Sequence, residues 1–227
     1  MRKTIISGII ASVFGLLAPQ IIQAQGTTYL SNLDQSSVGS VAVGSDSWLA
    51  GIFNTGTNYS GGYVLNSIQL AMANASGNPS GFQVMLYAST GGSQLPRTLL
   101  ATLDGSLNPV TSGIYTYTPD TTLTLLPNGA YDIVLTAGTA VANGAYEWSF
   151  ANTFAPTISG GWIGGRILLS SSVGLNWEPV PSALPQFAIY ATPAVPEPSI
   201  LGLLALGGFF LVWHRRKAKA IYEKNNH

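Results

Sequence analysis

Between Tyr29 and Tyr190 the chain is cut at short intervals by turn pairs: Gly61-Gly62, Gly91-Gly92, Asp104-Gly105, Asn128-Gly129 and Asn143-Gly144. Glycine enters the left-handed backbone region without steric cost, and a preceding Asn or Asp favours a tight reversal, so each pair ends one extended segment and begins another. The segments between them alternate. Phe82, Val84 and Leu86 share one face at period two, and so do Tyr131, Ile133 and Leu135, with Asp132 opposed and predicted to face solvent. From Tyr63 to Met72, a predicted apolar face of Val64, Ile68, Leu70 and Met72 is interrupted by Asn66. Further strands are predicted at Trp48 to Phe53, Leu99 to Leu103, Ile114 to Thr118, Leu123 to Leu126, Glu147 to Phe150, Arg166 to Leu169 and Phe187 to Tyr190. No segment here carries a sustained helical period, and no repeat of fixed length suggests a solenoid. The expected fold is all-β, an antiparallel two-sheet sandwich of jelly-roll kind.

Both ends have a different character. Arg2 and Lys3 precede an uncharged run from Ile5 to Leu17, then Pro19 and Ile22-Gln23-Ala24. A basic start, a short apolar run and a small residue at the cleavage position predict a secretory signal peptide over residues 1–24, cut after Ala24. The secretion machinery and signal peptidase are therefore expected partners. The domain follows at residues 25–192, then a proline-rich linker at 193–199, an apolar helix at 200–213 and a basic tail at 214–227.

Charge is sparse in the domain, and it decides several function classes. Its seven acids, Asp34, Asp46, Asp104, Asp120, Asp132, Glu147 and Glu178, face two bases, Arg97 and Arg166, for a net charge of −5. Such a surface repels phosphates and offers no cationic groove, so nucleic acid is not an expected partner. His214 and His227 both lie in the tail, and residues 25–192 contain no His, Cys or Lys. That removes Ser-His-Asp, Cys-His and Schiff-base chemistry, zinc sites built on nitrogen or sulfur ligands, and any disulfide. No glycine-rich phosphate loop is present, and no cofactor is implied. A glycosidase needs only two carboxylates, for which Asp132 and Glu147 are the candidates. Calcium is the one metal left open by the donor types, although no Asp-x-Asp-x-Asp loop occurs, and no metal site is assigned.

Four tryptophans lie in the domain. Trp48 and Trp148 fall in strand-like runs and are predicted to be buried. Trp162, inside Gly160-Gly161-Trp162-Ile163-Gly164-Gly165, and Trp177, between Asn176 and Glu178, fall in loop-like sequence and are the candidates for a ligand-stacking face.

The tail combines three signals in a fixed order: Pro196-Glu197-Pro198, the apolar run Ile200 to Trp213, and Arg215-Arg216-Lys217. Prolines hold the linker extended and open to proteases, while the basic cluster resists translocation and keeps the end of the chain cytoplasmic. Fourteen apolar residues make a helix of roughly 21 Å against a hydrocarbon core of about 30 Å, a marginal span suited to a temporary hold before processing. This arrangement resembles the PEP-CTERM sorting signal. The resemblance implies processing near Pro196, Glu197 and Pro198 by an exosortase, with Arg215, Arg216 and Lys217 as the stop-transfer end and the domain outside the cytoplasm.

The domain itself resembles the choice-of-anchor modules, most nearly type R, through Trp48-Leu49-Ala50-Gly51-Ile52-Phe53, Gly81-Phe82-Gln83-Val84-Met85-Leu86-Tyr87 with Leu95-Pro96, and Leu126-Pro127 with Gly129-Ala130-Tyr131. Those modules have no assigned catalytic activity. The expectation is a non-enzymatic surface or matrix protein associated with exopolysaccharide. The alternatives are a carbohydrate-binding module using exposed Trp and Tyr, and a carboxylate glycosidase.

Overall fold

The computed structural model describes residues 26–89, 94–105, 108–152, 157–181 and 183–194. The signal peptide, the Pro-Glu-Pro motif, the apolar run and the basic cluster lie outside the described residues. Among the described residues no helix is long and apolar enough to cross a membrane.

The chain forms, in order, β1 (Thr27–Ser31), β2 (Gly39–Val43), β3 (Trp48–Asn54), β4 (Tyr63–Gly77), β5 (Gln83–Ser89), β6 (Pro96–Gly105), β7 (Gly113–Pro119), β8 (Thr124–Leu125), β9 (Ala130–Thr136), β10 (Gly144–Ala151), β11 (Thr157–Ile158), β12 (Ile163–Ser170), β13 (Glu178–Pro179), β14 (Leu184–Pro185) and β15 (Phe187–Pro193). A 3-10 turn at Val141–Asn143 precedes β10. All ten segments predicted as strands are strands. The short β1, β2, β11, β13 and β14 escaped the sequence reading, because two to five residues carry too little alternation to be read.

Pairing is antiparallel throughout, in one curled sheet running β11-β1-β15-β4-β7-β6-β5-β9-β3-β12-β13. β6 turns the corner between two layers, pairing with β5 along most of its length and with β7 only through Leu103, Asp104 and Gly105. The first layer holds β1, β15, β4 and β7, with β10 taking the far half of β4 and carrying β2 and β14. The second holds β5, β9, β3 and β12. Across the open side, Ile167 N–H donates at 3.2 Å to the carbonyl of Ala183, which leads into β14 on the first layer, and this draws the layers together, while Val180 N–H to Ile167 O at 3.0 Å extends the β12–β13 pairing. The main core lies between them, with Ile68, Leu70, Ile189 and Trp148 from one side meeting Leu49, Phe53, Ile133, Leu86 and Ile167 from the other.

β4 corrects the face drawn from its sequence. Tyr63 and Leu65 point inward, and then Ile68, Leu70 and Met72 do. Opposite β15 the pairing steps from Leu65↔Ala191 to Ser67↔Tyr190, so Asn66 is the extra residue of a β-bulge and the inward phase changes there. The interruption at Asn66 marked this bulge, and Val64 belongs to the other face.

The second layer is apolar on both sides. Behind it Ala50, Ile52, Met85, Val134 and Leu168 form a second buried cluster, with Trp48, Tyr87, Leu95 and Trp177 packed against it. β9 therefore has no solvent face: Tyr131 to Thr136 are all buried.

Candidate functional site

Asp132 is the first residue this double burial affects. It sits opposite Ile52 and Tyr87 on the neighbouring strands, with no exposed surface, which overturns the expectation that it faces solvent. Its alternation with Tyr131 and Ile133 is real, but the opposite face is covered too. Ser89 Oγ donates to Asp132 Oδ2, while Oδ1 is buried without a partner among the described residues. Burial pushes the carboxyl from 3.8 up to about 7, and the Ser89 bond opposes part of that shift.

The two candidate glycosidase acids are not brought together. Glu147 lies in β10 of the first layer between the buried Tyr146 and Trp148, so alternation turns it away from the core, whereas Asp132 lies behind the second layer. The main core separates the two side chains. Asp104 and Asp120 do meet, at the exposed end of the β6–β7 corner, where a shared hydrogen bond and mutual repulsion raise the Asp120 carboxyl. Sequence reading missed this pair because it arises from the β6–β7 register, in which Asp104 opposes Thr118. Among the described residues no group of three or more His, Cys, Asp or Glu could hold a metal ion.

Two of the tryptophans, Trp162 and Trp48, differ from their prediction. Trp162 is completely buried, so it has no free face for a ligand. It lies parallel to Phe53 (centroids 5.9 Å, planes 2° apart), stacks on Tyr29 at 5.1 Å and meets the Tyr63 ring edge-on at 4.9 Å. Its glycine neighbours explain the error. Gly160 and Gly161 take φ values of 65° and 77°, turning the chain inward so that the indole enters the core. Trp177 is partly buried against the second cluster, with its Nε1 enclosed and unpartnered among the described residues. Trp148 is buried as expected and donates from Nε1 to Gln186 O at 3.1 Å.

Trp48 keeps part of its surface and lines a cavity of about 260 Å³ with Ser45, Gln83, Thr136, Gly138 and Val173. Trp48 is the first residue of β3 and pairs with Ser170 at the end of β12, while Thr136 at the end of β9 pairs with Gln83 at the start of β5. The cavity thus occupies one pole of the sandwich. The chain leaves at the other pole, where Pro193 pairs with Tyr63 and Ala194 N–H donates to Gly62 O at 2.9 Å. A larger groove of about 640 Å³ runs past Asn66, Ser67, Thr116, Thr118 and Asp120 on the outside of the first layer, without an aromatic ring in its wall.

Comparison with known proteins agrees with the tail reading. Residues 194–217 match the PEP-CTERM protein-sorting motif. The chain therefore carries the signal of an exported, surface-sorted protein processed by an exosortase. No curated protein matches the chain. Among solved structures it is similar to the cysteine protease and lectin-like domains of Cwp84, a surface layer associated protein of Clostridium difficile, with a TM-score of 0.48 and 11% identity. That likeness covers 74% of this chain and 36% of the other.

Proposed function

We propose that this protein is a non-enzymatic component of the cell surface or extracellular matrix, released from a transient inner-membrane hold by an exosortase and associated there with exopolysaccharide. The sorting motif at residues 194–217 carries the reading, because it begins at the residue that follows the last strand. The β-sandwich is read as a module of the choice-of-anchor kind. Its lack of His, Cys and Lys, together with the separation of Asp132 from Glu147, supports a role without catalysis.

Replacing Pro196, Glu197 and Pro198 together with Ala tests the sorting step, read by intact mass of the envelope and culture-medium forms. The expected result is a full-length, membrane-retained species, and tail removal at the normal rate counts against the assignment. Retention of the wild-type protein on the host's own exopolysaccharide, without sugar release, tests the matrix role.

A further inference from the structure

The geometry points to the cavity beside Trp48 as a binding site for a single neutral glycosyl unit, held at the pole of the domain opposite its tail. The inference rests on the polysaccharide reading above for its ligand class and adds the place and the chemistry.

The cavity is built from loops that are tied to one another. Gly138 N–H donates to Ser80 O at 2.8 Å, Ser80 and Thr139 hydroxyls lie 3.0 Å apart, and Ser45 N–H donates to Thr139 O at 2.9 Å. Asp46 Oδ1 accepts from Val141 N–H at 2.9 Å. On the other flank, Ser170 Oγ accepts from Gly174 N–H at 3.0 Å and Ser172 Oγ from Asn176 N–H at 2.8 Å. A wall fixed before binding loses little freedom when a ligand arrives.

The indole is fixed as well. Trp48 Nε1 donates to Ser45 O at 3.2 Å, and a Cβ on Gly174 would stand 3.2 Å from Trp48 Cε3, so the hairpin backbone lies close against the ring. Trp162 spends its faces on other aromatics, whereas Trp48 presents surface to the cavity. Val173 also lines the cavity, 57% exposed and with a φ of 55°, a left-handed conformation that is unfavourable for a β-branched residue. Backbone held in such a conformation by its surroundings clusters at ligand clamps.

The lining sets the ligand class. An indole offers a flat apolar surface for the C–H face of a sugar ring. Ser45, Gln83 and Thr136 supply hydroxyl and amide groups that make no hydrogen bond among the described residues. No charged side chain lines the cavity, so nothing there would balance a phosphate or a uronate. About 260 Å³ lies just below the usual range of small-molecule pockets, roughly 300 to 1,000 Å³, and so offers room for one ring and not for an extended chain.

The test uses the full-length chain in a detergent without a sugar head group, titrated with cellotriose, maltotriose and triacetylchitotriose, and with trigalacturonate as the anionic comparison. At least one neutral trisaccharide is expected to shift tryptophan emission and to bind more tightly than trigalacturonate. Trp48→Phe and Gln83→Ala are each expected to weaken binding about tenfold, the loss of one ring or hydrogen-bonded contact. Gln83 is exposed, so its variant keeps the test valid even if the Trp48 variant folds poorly. Absence of binding to every neutral probe, equal binding of trigalacturonate, or unchanged affinity in Gln83→Ala overturns the site. If the wild type and both variants are retained equally on the host's exopolysaccharide, the site fails while the matrix reading stands. If the wild type is not retained at all, the matrix reading fails.

Discussion

Ser89 Oγ donates to Asp132 Oδ2 from the neighbouring strand β5, behind the second layer, and no other side-chain bond reaches the Asp132 carboxyl among the described residues. One hydroxyl does not replace the water lost on burial, so the folded state favours the protonated acid, at about 7 against 3.8. Between those values the folded protein binds more protons than the unfolded chain. The contribution of Asp132 to stability is therefore greatest below pH 4, falls as pH rises, and levels off above pH 7. The full change is of order 4 kcal/mol at about 1.4 kcal/mol per pH unit. Thermal melts from pH 4 to 8 should show this decline in the wild type, and Asp132→Asn should flatten it and raise the melting temperature at pH 8. An identical pH profile in the variant would show that Asp132 does not titrate in this range.

Trp162→Ala should lose roughly 3 to 5 kcal/mol of stability, the usual loss for a large aromatic in a core. The ring packs against Phe53, Tyr29 and Tyr63 at once, so its removal opens a cavity shared by both layers. Chemical denaturation measures the loss. A change under 1 kcal/mol, well below the core-truncation range, would contradict the burial.

Much of the fold was legible because turn pairs and alternation act over a few residues. The part that was not legible depends on partners distant in sequence. Asp132 alternates as a surface residue should, yet the cluster behind it draws on Ala50, Met85 and Leu168 from other strands. Trp162 reads as a loop residue because glycines surround it, and those glycines are what let it enter the core. Trp48 reads as a core residue because it begins an apolar strand, but the first position of β3 lies at a pole, beside loops whose proximity only the tertiary structure reveals.

Cutting the chain after Ala194 should leave the domain's stability unchanged, because the last described hydrogen bond to the body of the sandwich is Ala194 N–H to Gly62 O. Cutting before Phe187 should prevent folding, since β15 lies between β1 and β4 and contributes the buried Phe187, Ile189 and Ala191. Far-ultraviolet spectra and melting curves of the two truncations check this. Equal stability in both would mean that β15 is dispensable.

Val173→Gly separates the strain at the Trp48 cavity from its use. A left-handed conformation is unfavourable by roughly 1 to 2 kcal/mol for a residue with a Cβ, and glycine removes that penalty while returning part of it as freedom in the unfolded chain. Val173 is mostly exposed, so little packing is lost with its side chain. The net expectation is a gain of about 1 kcal/mol or slightly less. The same change removes an apolar side chain from the lining that Val173 shares with Trp48, so affinity for the neutral trisaccharide should fall as stability rises. Denaturation and titration on the same sample measure both. Greater stability with unchanged affinity would mean that the strained residue takes no part in binding, and lower stability would mean that the valine side chain holds the hairpin against the second layer.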